Sequence, residues 1–418
     1  MSSGLSTTTI DANSALLTPS LCHPHLHLDK AFLLSHPKHS HLQLQRGDFK
    51  EAMDLTSQAK AAFTPSDLLE RGARTLDESI TAGVTHMRAF VEIDAGVGNK
   101  CLEAGLKLKK EYEGRVWVQI CAFAQLPLFT SSPNDERGEV IRSLMEEAAA
   151  NDEVEALGST PYVEGDRVRT ELNIDYMIRL TASRKKHLDF HLDYNLDLAS
   201  EPSIWHVLSS LRTHDWTKKT GDPNTTETRT VVLGHCTRLT LFTVQEWQRL
   251  ASEITSNNLP VSFVGLPTSD MFMMKPSPKD MLHCGYTRGT LPVLRMVDDY
   301  GLNACMGINN IGNAFTPQGS CDPLLLACNG VAVYQAGTVG AVERLFEGIS
   351  TRARQAIGLQ QAGKTGSGLE VGDPADLLLF GSDAHSGWRT RRSVAEAAYL
   401  YDHCQGRRAW LDGRITSG

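Results

Sequence analysis

Short apolar, β-branched runs alternate with longer amphipathic stretches along this 418-residue chain, and the alternation repeats. No other feature constrains the fold as strongly. The strand candidates are LLTPSLCHPHLHL, GVTHMRAFVEI, RVWVQICAFA, VEALGSTPYV, KHLDFHLDY, RTVVLGHC, NLPVSFVG and LNACMGIN, eight in all. Helical patterns lie between them, among them KCLEAGLKLKKEYEG, ERGEVIRSLMEEAAAND, NIDYMIRLTASRKK, EPSIWHVLSSLRTHDW, FTVQEWQRLASEITSNN and LPVLRMVDDYG, and DPLLLACNGVAVYQAG follows the last strand. Strand then helix, eight times over, is the sequence form of an α/β protein of the (β/α)8 TIM-barrel kind. An open doubly wound sheet uses the same alternation, but no glycine-rich phosphate turn follows the first strand here. The barrel is expected over residues 19–360. Beyond the Gly-rich connector QAGKTGSGLE, the segments VGDPADLLLFGSD and RRAWLDGRI read as strands, the second with an Asp-Gly turn, and helical RSVAEAAYLYDHC separates them. Residues 1–18 and 369–418 are therefore expected to form a small, reduced β-sandwich unit from the chain ends.

Composition narrows the class of partner. A net charge of −8 and a pI near 6.0 argue against a polyanion-binding surface, so no nucleic-acid partner is expected. No apolar run approaches a membrane span. The opening MSSGLSTTTIDANSALL lacks the basic flank and long apolar run of a secretory signal. Cys22, Cys101, Cys121, Cys236, Cys284, Cys305, Cys321, Cys328 and Cys404 are scattered without a CxxC pair and read as buried free thiols of a reducing, cytoplasmic compartment.

In a barrel the chemistry sits at the C-terminal ends of the strands. His25 and His27 close the first strand, Gln125 the third, His191 the fifth, His235 the sixth, and Asn309 and Asn310 the eighth. Residues two apart on a strand point the same way, so His25 and His27 can present both imidazoles to one ion, and a histidine from a distant strand can complete the set. Neutral imidazole suits zinc or ferrous iron, and an incompletely saturated ion yields a hydroxide nucleophile near neutral pH. His23 is expected to share the facing of the pair but to support rather than ligate. The run SHPKHSH, residues 35–41, reads as polar loop. A lone buried histidine is usually a satisfied core residue, and for His235 taken alone that reading stays open.

Five elements in register, PHLHLDK, AFAQ, HLDY, GHCTRL and GINNIGNAFTPQGSCDPL, resemble the amidohydrolase superfamily, in the branch of cytosine deaminase and N-isopropylammelide amidohydrolase. The likeness covers roughly residues 17 to 385, and GDPADLLLFGSD resembles the strand by which such enzymes return to their small β-sandwich. The resemblance implies that His25, His27 and His191 ligate one divalent metal ion, Zn or Fe. It implies that His235 hydrogen-bonds the water or the substrate carbonyl and that Gln125 binds an amide edge of a small-molecule substrate. Lys30 matches a lysine that ammelide-type enzymes carry directly after HLD, and Phe315 falls where a ring packs on the substrate.

Two positions depart from that pattern. The strand-8 aspartate of the family, a metal ligand and proton acceptor, is Asn309 here, whose amide oxygen coordinates weakly and takes no proton from water. The residue three after the strand-5 histidine, a glutamate in cytosine deaminase, is Tyr194. Asp193 shares the strand face of His191 and is the first candidate for the general base, ahead of Asp29, Lys30 and Asp322; a purely structural hydrogen bond is the competing reading for it. Lys30 and Arg88 would tolerate an anionic group. Family members also carry more chain ahead of HxH, so either the small unit is reduced or the sequence has lost its beginning, and an uncovered sheet edge would favour a homo-oligomer. The expected function is a metal-dependent hydrolase attacking a C–N bond of a cyclic amide or amino-heterocycle through metal-bound hydroxide. The alternatives are a non-hydrolytic lyase, decarboxylase, isomerase or condensing enzyme on the same scaffold, and an inactive binding paralogue.

Overall fold

The computed structural model describes residues 9–130, 135–221, 229–274, 289–359, 366–381, 387–402 and 406–417. After a short β1 (Leu17–Pro19), eight parallel strands run in sequence order through one sheet: β2 (Leu21–His27), β3 (Val84–Glu92), β4 (Trp117–Ala124), β5 (Ala156–Ser159), β6 (His187–Leu192), β7 (Val231–His235), β8 (Val261–Gly265) and β9 (Asn303–Met306). Each falls inside its expected segment. Beyond β9 the chain turns back onto β2. His27 N donates to Asn309 O at 2.8 Å and Asn309 N to His25 O at 3.1 Å, which draws the two ends of the sheet together beside three expected site residues.

Helices cover the outside. Two that the segments singled out above do not include, Phe49–Ala61 and Pro65–Thr81, lie between β2 and β3. The second starts with a reciprocal capping box between Thr64 and Asp67 and has Pro65 in its first turn, where a missing N–H costs nothing. It buries Leu68, Leu76 and Ile80 against the barrel. Each such side chain contributes about 1.5–3 kcal/mol when fully buried.

The chain ends form a separate antiparallel sheet of order β1, β10 (Leu377–Phe380), β11 (Arg407–Leu411) and β12 (Arg414–Ser417). Among the described residues this unit is a single sheet. Asp412 and Gly413, at φ 49° and 74°, make the two-residue turn that the Asp-Gly signal predicts. Arg407 ties the unit to the barrel, donating from Nη1 to Ala82 O at 3.1 Å and to Asp322 Oδ2 at 2.8 Å.

The strand-parity expectation for His23 is overturned. Between His23 and Leu26, three steps along β2 pass two along β3, a bulge at Pro24 and His25. Proline cannot donate to the ladder, and bulges are where a strand tolerates it. The extra residue leaves Cys22, His25 and His27 inside the barrel and turns His23 outward. There its Nε2 lies 3.1 Å from Cys321 O and 3.3 Å from Ser79 Oγ, so its supporting role has a concrete form.

Cys22, Cys101, Cys121, Cys236, Cys305 and Cys321 are free and buried; Cys328 is free but only half-buried, and Cys284 and Cys404 lie outside the described residues, as do residues 361–365 of the connector. No helix among the described residues is long and apolar enough to cross a membrane.

Candidate metal centre and substrate pocket

Four imidazoles converge where the barrel strands end. The ring of His25 lies 4.4 Å from that of His191 and 5.6 Å from that of His27, and the His191 ring is 5.1 Å from both His27 and His235. Ligand nitrogens of His25, His191 and His235 come within 4.8 Å of one another; His27 stands at the edge of that trio. Gly234 makes room for this packing, since a Cβ there would sit 2.8 Å from His25 Cε1.

Burial holds His25, His27 and His191 well below the ordinary imidazole range. Charge on the neighbouring imidazoles adds to the effect, as does Lys30 for His27. These rings are therefore neutral and offer lone pairs. Nδ1 of His27 and Nε2 of His191 are buried without a hydrogen-bond partner, and the ring nitrogens of His25 and Oδ1 of Asn309 have none beyond a loose approach to each other. Orphaned polar atoms of this kind are uncommon in a folded interior. Clustered imidazoles and an amide oxygen are a donor set that fits zinc or ferrous iron. Asn309 is oriented for it: Nδ2 donates to Ser269 Oγ at 2.9 Å, which leaves Oδ1 towards the cluster.

His235 is held from behind by a residue that the sequence did not single out. Its Nδ1 lies 2.9 Å from Asp270 Oδ1, while Asp270 Oδ2 accepts from Thr290 Oγ1 at 2.8 Å and Leu266 N at 3.2 Å. Burial raises the Asp270 pKa, and the His235 bond and charge oppose the rise. With Nδ1 so engaged, Nε2 is the nitrogen left for the site, the arrangement common behind functional histidines.

The pocket, with about 320 Å³ of empty space that is partly open to solvent, is lined by His27, His191, His235, Asn309, Ser269, Lys30, Gln125, Asn310, Tyr194, Phe315, Phe49 and Tyr162. Lys30, fully buried, places Nζ 3.1 Å from Gln125 Oε1 and 3.0 Å from Glu92 Oε2. Tyr194 packs at a tilt of 38° against His235 with ring centroids 4.0 Å apart. Phe49 stands 5.8 Å from Phe315 and 6.2 Å from Tyr194, so four aromatic rings form the wall together with Tyr162. Phe49 and Tyr162 arrive from a helix and a loop without any sequence signal of a site.

Of the candidate bases Lys30 lines the cavity, but the three carboxylates do not. Asp193 Oδ1 accepts from Ser203 N at 2.7 Å and Oδ2 from Ile204 N at 3.1 Å, so its carboxylate caps the helix Ile204–Thr213. The strand ends at Leu192 and Asp193 has φ 48°, which breaks the alternation that would have aimed it beside His191. Asp29 accepts from Glu92 N, and Asp322 pairs with Arg407. Arg88 is fully buried in an ion pair with Asp189 at 2.8 Å, within the barrel and outside the pocket lining, so it is not placed to receive an anion.

No protein-family model matches the chain. Among solved structures, 5-methylcytosine deaminase from Klebsiella pneumoniae, liganded with 5-fluorocytosine, superposes with a TM-score of 0.77 at 21% identity, covering 99% of this chain and 89% of that one. An adenosine deaminase from Xanthomonas campestris with bound zinc gives a TM-score of 0.64 at 14% identity, over 97% and 81% of the two chains. These likenesses show that the chain shares the barrel fold of these deaminases. N-isopropylammelide isopropyl amidohydrolase of Pseudomonas sp. (strain ADP) is 20% identical over 374 residues, 89% of this chain and 81% of the relative.

Proposed function

We propose that the protein is a metal-dependent hydrolase that cleaves a C–N bond of a cyclic amide or amino-substituted nitrogen heterocycle. The observation that carries this reading is the convergence of neutral, unpartnered imidazoles and the Asn309 oxygen on one side of a pocket with aromatic walls. The likeness to deaminases and to an amidohydrolase supports it.

In this reading His25, His27 and His191 hold one zinc or ferrous ion, with Asn309 as a weaker oxygen donor. When bound, such an ion supplies Lewis-acid polarisation and a water nucleophile near neutral pH. Tyr194, Phe315, Phe49 and Tyr162 keep a flat ring in place and exclude bulk water. Lys30, Gln125 and Asn310 read its polar edge. His235, its Nδ1 proton held on Asp270, uses Nε2 to take a proton from the attacking water and to return it to the departing nitrogen. This dyad replaces the carboxylate base that Asn309, Tyr194 and the turned-away Asp193 do not supply.

Metal quantification on the purified protein and its variants tests the assignment. His25→Ala, His27→Ala and His191→Ala should each lose the ion; His235→Ala should keep it and lose turnover. Loss of metal from His235→Ala with full occupancy in His27→Ala would exchange the roles of those two rings. A wild-type protein without metal would end the proposal. Turnover in ¹⁸O-labelled water should label the product, and an unlabelled product would refute hydrolysis.

A further inference from the structure

The polar side of the pocket offers hydrogen-bond donors. Gln125 Oε1 accepts from Lys30, which can only donate, so the Gln125 amide is fixed with Nε2 towards the pocket, where it makes a long 3.4 Å approach to Thr160 Oγ1 and faces the Tyr162 hydroxyl. Asn313 Oδ1 accepts from Phe315 N and Thr316 N at 3.0 and 3.1 Å, which fixes that amide too. Its Nδ2 then donates to Asn310 Oδ1 at 2.7 Å, leaving Asn310 Nδ2 as the group free for a ligand. Lys30, Gln125 and Asn310 thus present N–H groups, and their acceptors are already used.

The charge balance points the same way. The described residues that line the pocket include no carboxylate and one permanent cation, Lys30. Nearby carboxylates are engaged outside the cavity: Asp270 by His235, Thr290 and Leu266, Asp193 by a helix N-terminus, Glu92 between Lys30 and Lys60, and Asp29, beside Lys30, by Glu92 N. A divalent ion held by neutral imidazoles and an amide oxygen keeps its whole charge. Aromatic walls lower the local dielectric and strengthen the pull of that charge on an anion.

We infer that the substrate is a planar, oxo-rich nitrogen heterocycle bound in its anionic form, its charged imide edge directed at Lys30, Gln125 and Asn310. Neutral bases such as cytosine carry no charge for Lys30 to attract, and the exocyclic amino group of cytosine adds a donor for which this rim has no acceptor. The charge half of the inference rests on the metal-site reading above; the donor rim does not.

Isothermal titration calorimetry on zinc-loaded protein at neutral pH tests it, with barbiturate (an anionic trioxopyrimidine), uracil (neutral, dioxo) and cytosine (neutral, amino) as probes of one ring size. Barbiturate should bind on the order of tenfold or more tightly than either uracil or cytosine. Gln125→Glu, which turns a donor into a charged acceptor, should abolish the preference for barbiturate while zinc content stays unchanged. Lys30→Met should reduce it. Equal or tighter binding of uracil or cytosine, or no binding of any probe at millimolar concentration, overturns the inference. If zinc is present and the preference absent, only this inference falls; if the protein takes up no zinc, the metal-site reading falls as well.

Discussion

Gly234→Ala adds one methyl group and tests whether the histidine cluster is as closely packed as its geometry implies. The new Cβ would lie 2.8 Å from His25 Cε1 and 3.0 Å from Nδ1. Carbon contacts settle near 3.5 Å, so the ring must retreat by about 0.7 Å. It has little room. The Phe90 ring is 4.3 Å away and the His191 ring 4.4 Å, and Gly307 closes on the His25 backbone and Cβ. Overpacking of this kind costs about 1–3 kcal/mol, which a domain with about 5–15 kcal/mol of stability survives. Metal ligation does not tolerate it as well, because ligand distances hold to within about 0.2 Å. Gly234→Ala should therefore stay folded, melt a few degrees lower, and lose metal affinity on the order of 10- to 100-fold in chelator competition. Gly340→Ala, on the helix Val339–Glu347 with nothing within 4 Å of the added carbon, is the control and should be neutral or slightly stabilising. Unchanged metal affinity and melting in Gly234→Ala would refute the packing argument.

Three further outcomes follow from named contacts. Asp270→Asn leaves one oxygen where His235 Nδ1, Thr290 and Leu266 now share two; turnover should fall on the order of 10²-fold or more with metal content retained, and ¹⁵N shifts of His235 should report a changed tautomer population. Turnover and tautomer like those of wild type would dissociate Asp270 from the site. Asp193→Asn should cost about 1–2 kcal/mol of stability through the weakened cap yet keep metal and turnover within a few-fold, whereas a hundredfold loss of rate would restore Asp193 as the base. His86, at the opposite end of the barrel from the pocket, is held well below the ordinary imidazole pKa by burial and by Arg354. Its unfolded form takes up a proton below about pH 6.5 and its folded form does not, so its contribution to stability is lost as pH falls. The stability of wild type relative to His86→Gln in the metal-free protein should drop by about 1.4 kcal/mol between pH 7.5 and pH 5.5, and a difference that does not change with pH would contradict the burial argument.

The barrel was legible because its strands carry their own signature. Segments such as RTVVLGHC and NLPVSFVG are β-branched, short and bounded by turns, and an interior strand must be apolar on both faces. Once eight such segments were counted, the placement of His25, His27, His191 and His235 at a common mouth followed from the rule that barrel strands run in one direction. Long-range partners were not legible. Asp270 sits in a seven-residue helix, Pro267–Met273, too short to show a period, and nothing in TSDMFM marks it as the support of a histidine 35 residues earlier. Phe49 and Tyr162 look like any other aromatic until the fold brings their rings within about 6.3 Å of one another.

The errors of direction have a single physical origin. Parity along a strand predicts where a side chain points only while the backbone stays extended. At Pro24 a bulge adds a residue and reverses His23. At the strand ends Asp193, His235 and Asn309 adopt φ of 48°, 66° and 60°, in the left-handed region that non-glycine residues seldom enter. For asparagine and aspartate this costs little; for His235 it is strain that surrounding structure must hold, of about 1 kcal/mol or more. The same turn that takes Asp193 out of the cavity brings His235 onto Asp270 and the Asn309 oxygen to face the imidazoles. Alternation therefore cannot be carried past the end of a barrel strand, where the chain leaves the sheet, and that is also where the fold places part of its chemistry. A sequence argument for a barrel site is strongest one or two residues inside the strand, as for His25 and His191, and needs a backbone angle before it can assign a role to the residue that follows.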